Sequence, residues 1–251
     1  MAFEVTDRAS VQLFLGLPSG AKISRQTIWN YRQILDETGV VEEVVWRHLV
    51  ELKETSLLSS EQTNPLILNS SFVEARKQRN TPEENERIKK EPGITKEDLW
   101  PGEKNKHKRF HKDIKATWTK KRNPVFFGYK IHILVESDCN FVIHMVTTTS
   151  KEHDSQVLDL MFLKEADEGR ELYADSAYSG ANHIELVRSF GLTPCICEKG
   201  QKNHPLKPLQ KFANKEKSKT RSRVEHVFGV IEGTMKGSTL RTVGFTRARG
   251  H

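Results

Sequence analysis

The first sixty residues place apolar side chains at helical spacing. Thr6 stands as a cap before a short helix through Leu15, stopped by Gly16 and Pro18. Ser24 is expected to cap a second helix, with Ile28, Tyr31 and Leu35 on one face and Gly39 at its end. Val41, Val44, Val45, His48, Leu49 and Leu52 mark a third. Three short helices with small turns suit a helix-turn-helix, but any small bundle has the same pattern. Residues 1–60 are therefore read as a helical region.

Beyond it the pattern changes. "PLILNSSFVEA" (65–75) has an apolar centre at Leu66–Leu68 and reads as a buried strand. Residues 76–124 are charged, interrupted by proline and weakly periodic, as expected of an insertion or surface excursion. "VFFGYKIHILVE" (125–136) alternates, with Phe127, Tyr129, Ile131, Ile133 and Val135 on one face. "FVIHMVTTT" (141–149) also alternates, and the short "SDCN" turn between them predicts a hairpin. Asp154 is expected to cap a helix carrying Val157, Leu158, Met161 and Phe162. "ELYAD" reads as a strand. A helix over Ile184, Val187 and Phe190 ends at Gly191, and "LTPCIC" is a further strand. After a basic loop, Val224, Val227, Phe228 and Ile231 mark a helix near 218–234. This order predicts a mixed α/β domain over 61–251, with a hairpin beside parallel units.

Composition adds constraints. The chain has 251 residues, 36% hydrophobic and 29% charged, which fits a soluble protein with polar connections. No apolar run approaches the ~18 residues of a membrane span. The start "MAFEVTDRAS" has neither the basic nor the apolar part of a secretory signal, so a cytoplasmic location is expected. Three cysteines, Cys139, Cys195 and Cys197, give no disulfide framework and suit a reducing compartment.

The net charge of +7 is unevenly placed. Residues 104–122 carry +8 and residues 199–223 carry another +8, which leaves −9 on the rest. Two cationic blocks on an acidic background suit a polyanion, and a phosphate backbone is the commonest one. The alternative is a pair of solvated loops.

The candidate chemistry is sparse. His107 and His111 in "HKRFH" lie one helical turn apart but have no further ligands nearby in sequence. "GTMKGST" lacks the lysine and the preceding strand of a phosphate loop. Asp175, closing "ELYAD", reads either as a helix cap or as a carboxylate at the C-terminal mouth of a strand, where α/β sheets place their sites. Glu225 sits beside the apolar stripe of its helix, with Arg221 four residues before it. It reads either as an inward-facing carboxylate or as the surface partner of Arg221.

Taken together, several segments resemble the DDE transposases of bacterial insertion sequences, in the insertion-sequence-five group. They are "TIWNYRQIL", "SFVEARKQRNTPEEN", "WTKKRNPVFFGYKIHI", "HDSQVL", "YADSAYSG", "RSRVEHVFG" and "TVGFTRAR", in this order along nearly the whole chain. The resemblance implies a ribonuclease H-like fold in which three carboxylates hold two Mg²⁺ ions, with Mn²⁺ as a substitute. Such ions activate the nucleophile and stabilise the leaving oxygen as DNA strands are cut and joined. Hard cations prefer oxygen ligands, so Asp and Glu are suitable types.

Carried over by motif, Asp175 is the second carboxylate and Glu225 the third. Asn69 stands where the family has its first Asp. An amide offers one neutral oxygen and bridges two ions poorly, so weakened metal binding and catalysis are expected. Arg221, Arg223, Lys120, Lys121, Lys130, Lys217 and Lys219 are the candidate DNA contacts. The implied partners are double-stranded DNA, as transposon ends and target, and a second copy of the chain. No membrane partner is implied, and nucleoid association would follow from DNA binding. The resemblance also implies further helical sequence before "FEVTDRAS" and more after "GFTRAR", as in a truncated copy. Two rival readings share these features: a DNA-binding remnant without chemistry, and a metal-dependent nuclease that cuts without joining.

Overall fold

A computed structural model describes residues 8–54, 64–121, 123–162, 168–200 and 204–250. Its described residues up to His48 form one compact unit, and Leu49–Arg249 form another.

Helix α1 (Ala9–Phe14) is followed by Gly16 in the left-handed region. Thr6, its expected cap, lies outside the described residues. Helix α2 (Arg25–Thr38) starts as its sequence predicts, with the Ser24 hydroxyl accepting from the Thr27 amide at 2.9 Å. It ends at Gly39, whose φ of 71° no β-carbon opposes. Tyr31 departs from the expected inner face and is exposed. Helix α3 spans Val40–Glu54.

The second unit is built on a six-stranded mixed sheet. Strand β1 (Leu66–Glu74) begins with three apolar residues that are wholly buried. Two capped turns follow, α4 (Pro82–Lys90) and α5 (Lys96–Leu99), and then α6 (Lys106–His111). Strands β2 (Thr117–Lys120), β3 (Val125–Glu136) and β4 (Phe141–Thr149) come next. A 3₁₀ turn (Asp154–Val157) leads into α7 (Leu158–Met161). Strand β5 (Glu171–Ala174), α8 (Ala181–Ser189) and β6 (Thr193–Ile196) follow. Helix α9 (Pro208–Arg221) passes into α10 (Arg223–Gly229), a π-helical turn (Val230–Thr234) and finally α11 (Phe245–Arg249).

Strand β3 is the long central element. It pairs antiparallel with β1 on one side and with β2 and β4 on the other. On the far side of β1 lie β5 and then β6, both parallel to it. Four antiparallel strands extended by two parallel ones, with helices on both faces, are compatible with a ribonuclease H-like fold.

Both faces of β1 and β3 are covered, so these strands are rich in apolar side chains throughout. One face packs Leu66, Leu68, Leu134 and Leu172 against Leu158, Met161 and Val187. The other packs Ile67, Ile133 and Val135 against Val224 and Phe228 of α10. Further along the second face, Val73, Phe127 and Tyr129 meet Ala116, Leu240 and Ala248. Burying a Leu, Ile or Phe stabilises by about 1.5–3 kcal/mol, so the register is strongly fixed. A slip of one residue would exchange the faces of Asn69 and Ser70, and this register therefore decides which side chain looks toward α10.

Three expectations are corrected. Residues 76–121 are not a bare excursion. Thr81 with Glu84 and Thr95 with Asp98 form capping boxes, and the segment closes around the buried Trp100. The basic loop after 204 is in large part helix α9, opened by Pro208 at its first turn. His153, not Asp154, caps the turn before α7, because Asp154 is turned to Lys130 at 2.8 Å.

Candidate active site

The parallel pair β1–β5 sets Leu66 opposite Leu172 and Ile67 opposite Tyr173. Two residues further along each chain stand Asn69 and Asp175. Alternation along the strands puts both on the face that carries Ile67 and Tyr173, which α10 covers through Val224 and Phe228. Glu225 lies on α10 between those two anchors in sequence. Asn69, within β1, and Asp175, just past the end of β5, thus share one face of the sheet, and the helix that carries Glu225 packs on that face through Val224 and Phe228.

Each has a distinct local environment. Asn69 is partly buried, and its Oδ1 accepts from the Ser70 amide at 2.9 Å. Asp175 caps the 3₁₀ turn Ser176–Tyr178, its Oδ1 accepting from the Ala177 amide at 2.7 Å. The two sequence readings of Asp175 are therefore compatible: it is a cap, and it stands at a strand mouth. One carboxylate oxygen is fixed by the backbone, which leaves the other for a ligand. Glu225 is exposed, and its carboxylate has no hydrogen bond or ion pair among the described residues. The surface pair with Arg221 is absent, because α9 ends at Arg221 and α10 restarts at Arg223.

A further carboxylate escaped sequence reasoning. Glu232, in the π-helical turn, accepts from the Ser71 hydroxyl at 2.7 Å. Ser71 is two residues beyond Asn69 on the same strand face. Glu232 lies seven residues after Glu225, so the apolar stripe through Val224, Phe228 and Ile231 carried the signal for both.

The opposite face under Asn69 holds a buried polar group. Ser70 is paired with His132 across the strands. His132 is fully buried and meets Thr148 Oγ1 through Nε2 at 2.9 Å. Burial holds its imidazole well below the ordinary pKa, and Lys130 adds to this while Asp154 and Glu152 oppose it. Burial alone would raise the Asp154 carboxyl, but Lys130, His132 and Ser70 hold it below the usual range. Burial raises the Tyr178 phenol, and the Asp154 and Asp175 charges raise it further. Its hydroxyl is buried without a partner among the described residues.

The candidate DNA contacts separate by environment. Lys130 is buried and held by Asp154 and the Glu152 carbonyl, so it positions that group and cannot reach a phosphate. Lys217 donates to the Ile196 carbonyl at 2.8 Å and anchors α9. Lys120 and Lys121 are exposed at the end of β2, with Lys121 over the Phe72 ring at 5.6 Å. Lys219 is exposed and paired with Glu216 at 2.7 Å. Arg223 meets Asp138 and the Ser137 carbonyl, both at 3.1 Å. Arg221 has no partner among the described residues.

The site contributes two carboxylates and one amide. Among the described residues, no three His, Cys, Asp or Glu side chains converge to hold a metal ion. A two-ion centre resting on three carboxylates does not fit this donor set. His107 and His111 are both exposed on α6 and have no third ligand. No helix among the described residues is long and apolar enough to cross a membrane.

The family model for the transposase DDE domain matches residues 62–251, which include β1, β5 and α10 with all three positions.

Proposed function

Because this chain belongs to the transposase DDE-domain family, we propose that it is a DNA-binding transposase whose strand-cutting and strand-joining chemistry is impaired at Asn69. The carrying observation is that Asn69 and Asp175 follow the paired residues Ile67 and Tyr173 of adjacent parallel strands, on the face covered by the helix that carries Glu225. That arrangement supports an ancestral three-carboxylate site in which the first position is now an amide. A neutral amide leaves less negative charge to hold divalent cations, Mg²⁺ or its substitute Mn²⁺. Asp175 and Glu225 remain as the metal-facing carboxylates, and Arg221 and Arg223 are the cations nearest in sequence to meet a DNA phosphate. The substrate in this reading is double-stranded DNA, bound in the cytoplasm by two copies of the chain, with residues 1–60 serving end recognition or assembly.

Asn69→Asp tests the reading. The variant is expected to nick supercoiled DNA in Mg²⁺ and to gain thermal stability when Mg²⁺ or Mn²⁺ is added, whereas the native chain does neither strongly. Equal cleavage by both proteins would refute the impairment. A variant that neither cuts nor responds to either ion would refute the site assignment. The rival of a DNA-binding remnant is favoured by the same amide at position 69, and it predicts salt-sensitive DNA binding with no response to divalent ions.

A further inference from the structure

We propose that the outer face of α9 is a rail for a single DNA strand leading to Glu225, with lysines meeting successive phosphates and Phe212 stacking on an unpaired base. This rests on the DNA-binding reading above and adds the form of the DNA and the surface that takes it. The rotation of α9 is fixed from inside. Asn214 exchanges two hydrogen bonds of 2.9 Å with the Glu198 backbone, Gln210 meets the Glu198 carboxylate, and Lys217 holds the Ile196 carbonyl. That clamp turns Lys207, Lys211, Lys215 and Lys219 outward, all exposed and four residues apart.

Four residues of helix advance about 6 Å, comparable to the spacing of phosphates along a strand. Like charges at this interval destabilise a helix, and Lys207 at the N-cap also opposes the helix dipole. The first turn has no acidic residue to offset it, and Glu216 relieves only Lys219. Local rules broken without local compensation point to a ligand. A polyanion supplies the missing counter-charge.

Beside this row stands Phe212, 63% exposed. Phe212 lies beside Lys211 and one turn before Glu216 and Lys215. A duplex presents phosphates and sugars outward and keeps its base faces stacked, so it has nothing to cover an exposed ring. An unpaired base does. After Arg221 the helix passes through Ser222 into α10, and Glu225 follows. The rail therefore runs directly into the candidate site.

The test measures fluorescence anisotropy of the full chain with a labelled single strand and with the duplex of the same sequence, across salt. Lys211→Gln with Lys215→Gln is expected to lower the salt slope for the single strand by roughly 1.4. Lys89→Gln with Lys90→Gln on α4 removes the same charge and should leave the slope unchanged. Phe212→Leu, which keeps an apolar side chain, is expected to weaken single-strand binding roughly 5- to 150-fold. It should also abolish quenching of a 2-aminopurine base and leave duplex binding intact, while Phe212→Tyr restores both signals. If the native chain binds DNA but the α9 variants match the α4 control, or if Phe212→Leu weakens both DNA forms equally, the rail is wrong and the DNA-binding reading stands. If the native chain binds neither form, both fall.

Discussion

Glu84 gives the sharpest test of how the inserted segment is held. It is 8% exposed, and its carboxylate accepts from Trp100 Nε1 and Lys112 Nζ at 2.7 Å, the Thr81 amide at 3.0 Å and Lys108 Nζ at 3.2 Å. Burial alone would raise its pKa. Lys112, Trp100, Thr81 and Lys108 outweigh that and hold it at about 2, against an ordinary 4.5. The difference corresponds to about 3 kcal/mol of stability. Because the folded pKa is depressed, this contribution is complete above pH 4.5 and is lost as pH falls through about 2. Mutational experience gives a similar size by another route: removing one partner of a buried ion pair costs about 3–5 kcal/mol. Lys108 is 34% exposed and regains water, which places Glu84→Gln at the lower end. Urea denaturation at pH 7, with amide exchange read over residues 82–111, should show a loss of about 3 kcal/mol and faster exchange in α4–α6. The variant should also lose less stability than the native chain between pH 4.5 and 2. A loss under about 1 kcal/mol, or parallel acid limbs, would refute the argument that charged donors rather than apolar packing close this segment.

The acid response has a second source. His132 is buried neutral with a lowered pKa, so the unfolded chain takes up a proton that the folded chain does not. Stability should fall as pH drops below about 6.5, and His132→Gln should flatten that part of the profile in a pH series of thermal melts; an unchanged profile would count against it. Gly128 has φ 151°, and a Cβ there would collide with the Val73 carbonyl and the Ala75 amide. Gly128→Ala should therefore open the β1–β3 ladder near Glu74, lower stability by several kcal/mol and raise amide exchange in β1, whereas a melt within about 0.5 kcal/mol of the native chain would show that the ladder adjusts freely.

The strands were legible because their patterns are strong. Leu66–Leu68, the 125–136 alternation and the "SDCN" turn all appear as the sequence suggests. Buried apolar runs and tight turns act locally, so the sequence carries them openly. The inserted segment was misread because its core is polar: Glu84 satisfies two lysines and an indole that look like surface residues in sequence. The signal available was the pair of capping boxes, "TPEE" and "TKED". Helix α9 was misread for a related reason. Its lysines suggested a loop, although Pro208 and the inward row of Gln210, Asn214 and Lys217 mark a helix bound by hydrogen bonds rather than by apolar packing. Within the site, Asp175 and Glu225 were legible as a motif pair. Glu232 was not, because its meaning depends on the contact with Ser71 from a strand 161 residues away in sequence.

If Asn69 holds the place of the first carboxylate, as proposed, the amide also changes what the site demands of its surroundings. Three carboxylates gathered at one site repel an incoming phosphate unless cations are already in place. With Asn69, the carboxylates are Asp175 and Glu225, and Arg221 and Arg223 stand within four residues of Glu225 in sequence. One negative charge fewer then stands at the site, so a phosphate meets less repulsion before any ion is bound. Glu232 keeps its own charge beside the site, because the Ser71 hydroxyl that donates to it is neutral. In that reading, an amide that weakens catalysis would also loosen the dependence of DNA binding on divalent ions. The two effects share one cause, the lost negative charge, and Asn69→Asp reverses both: it should bring back the demand for cations together with the chemistry.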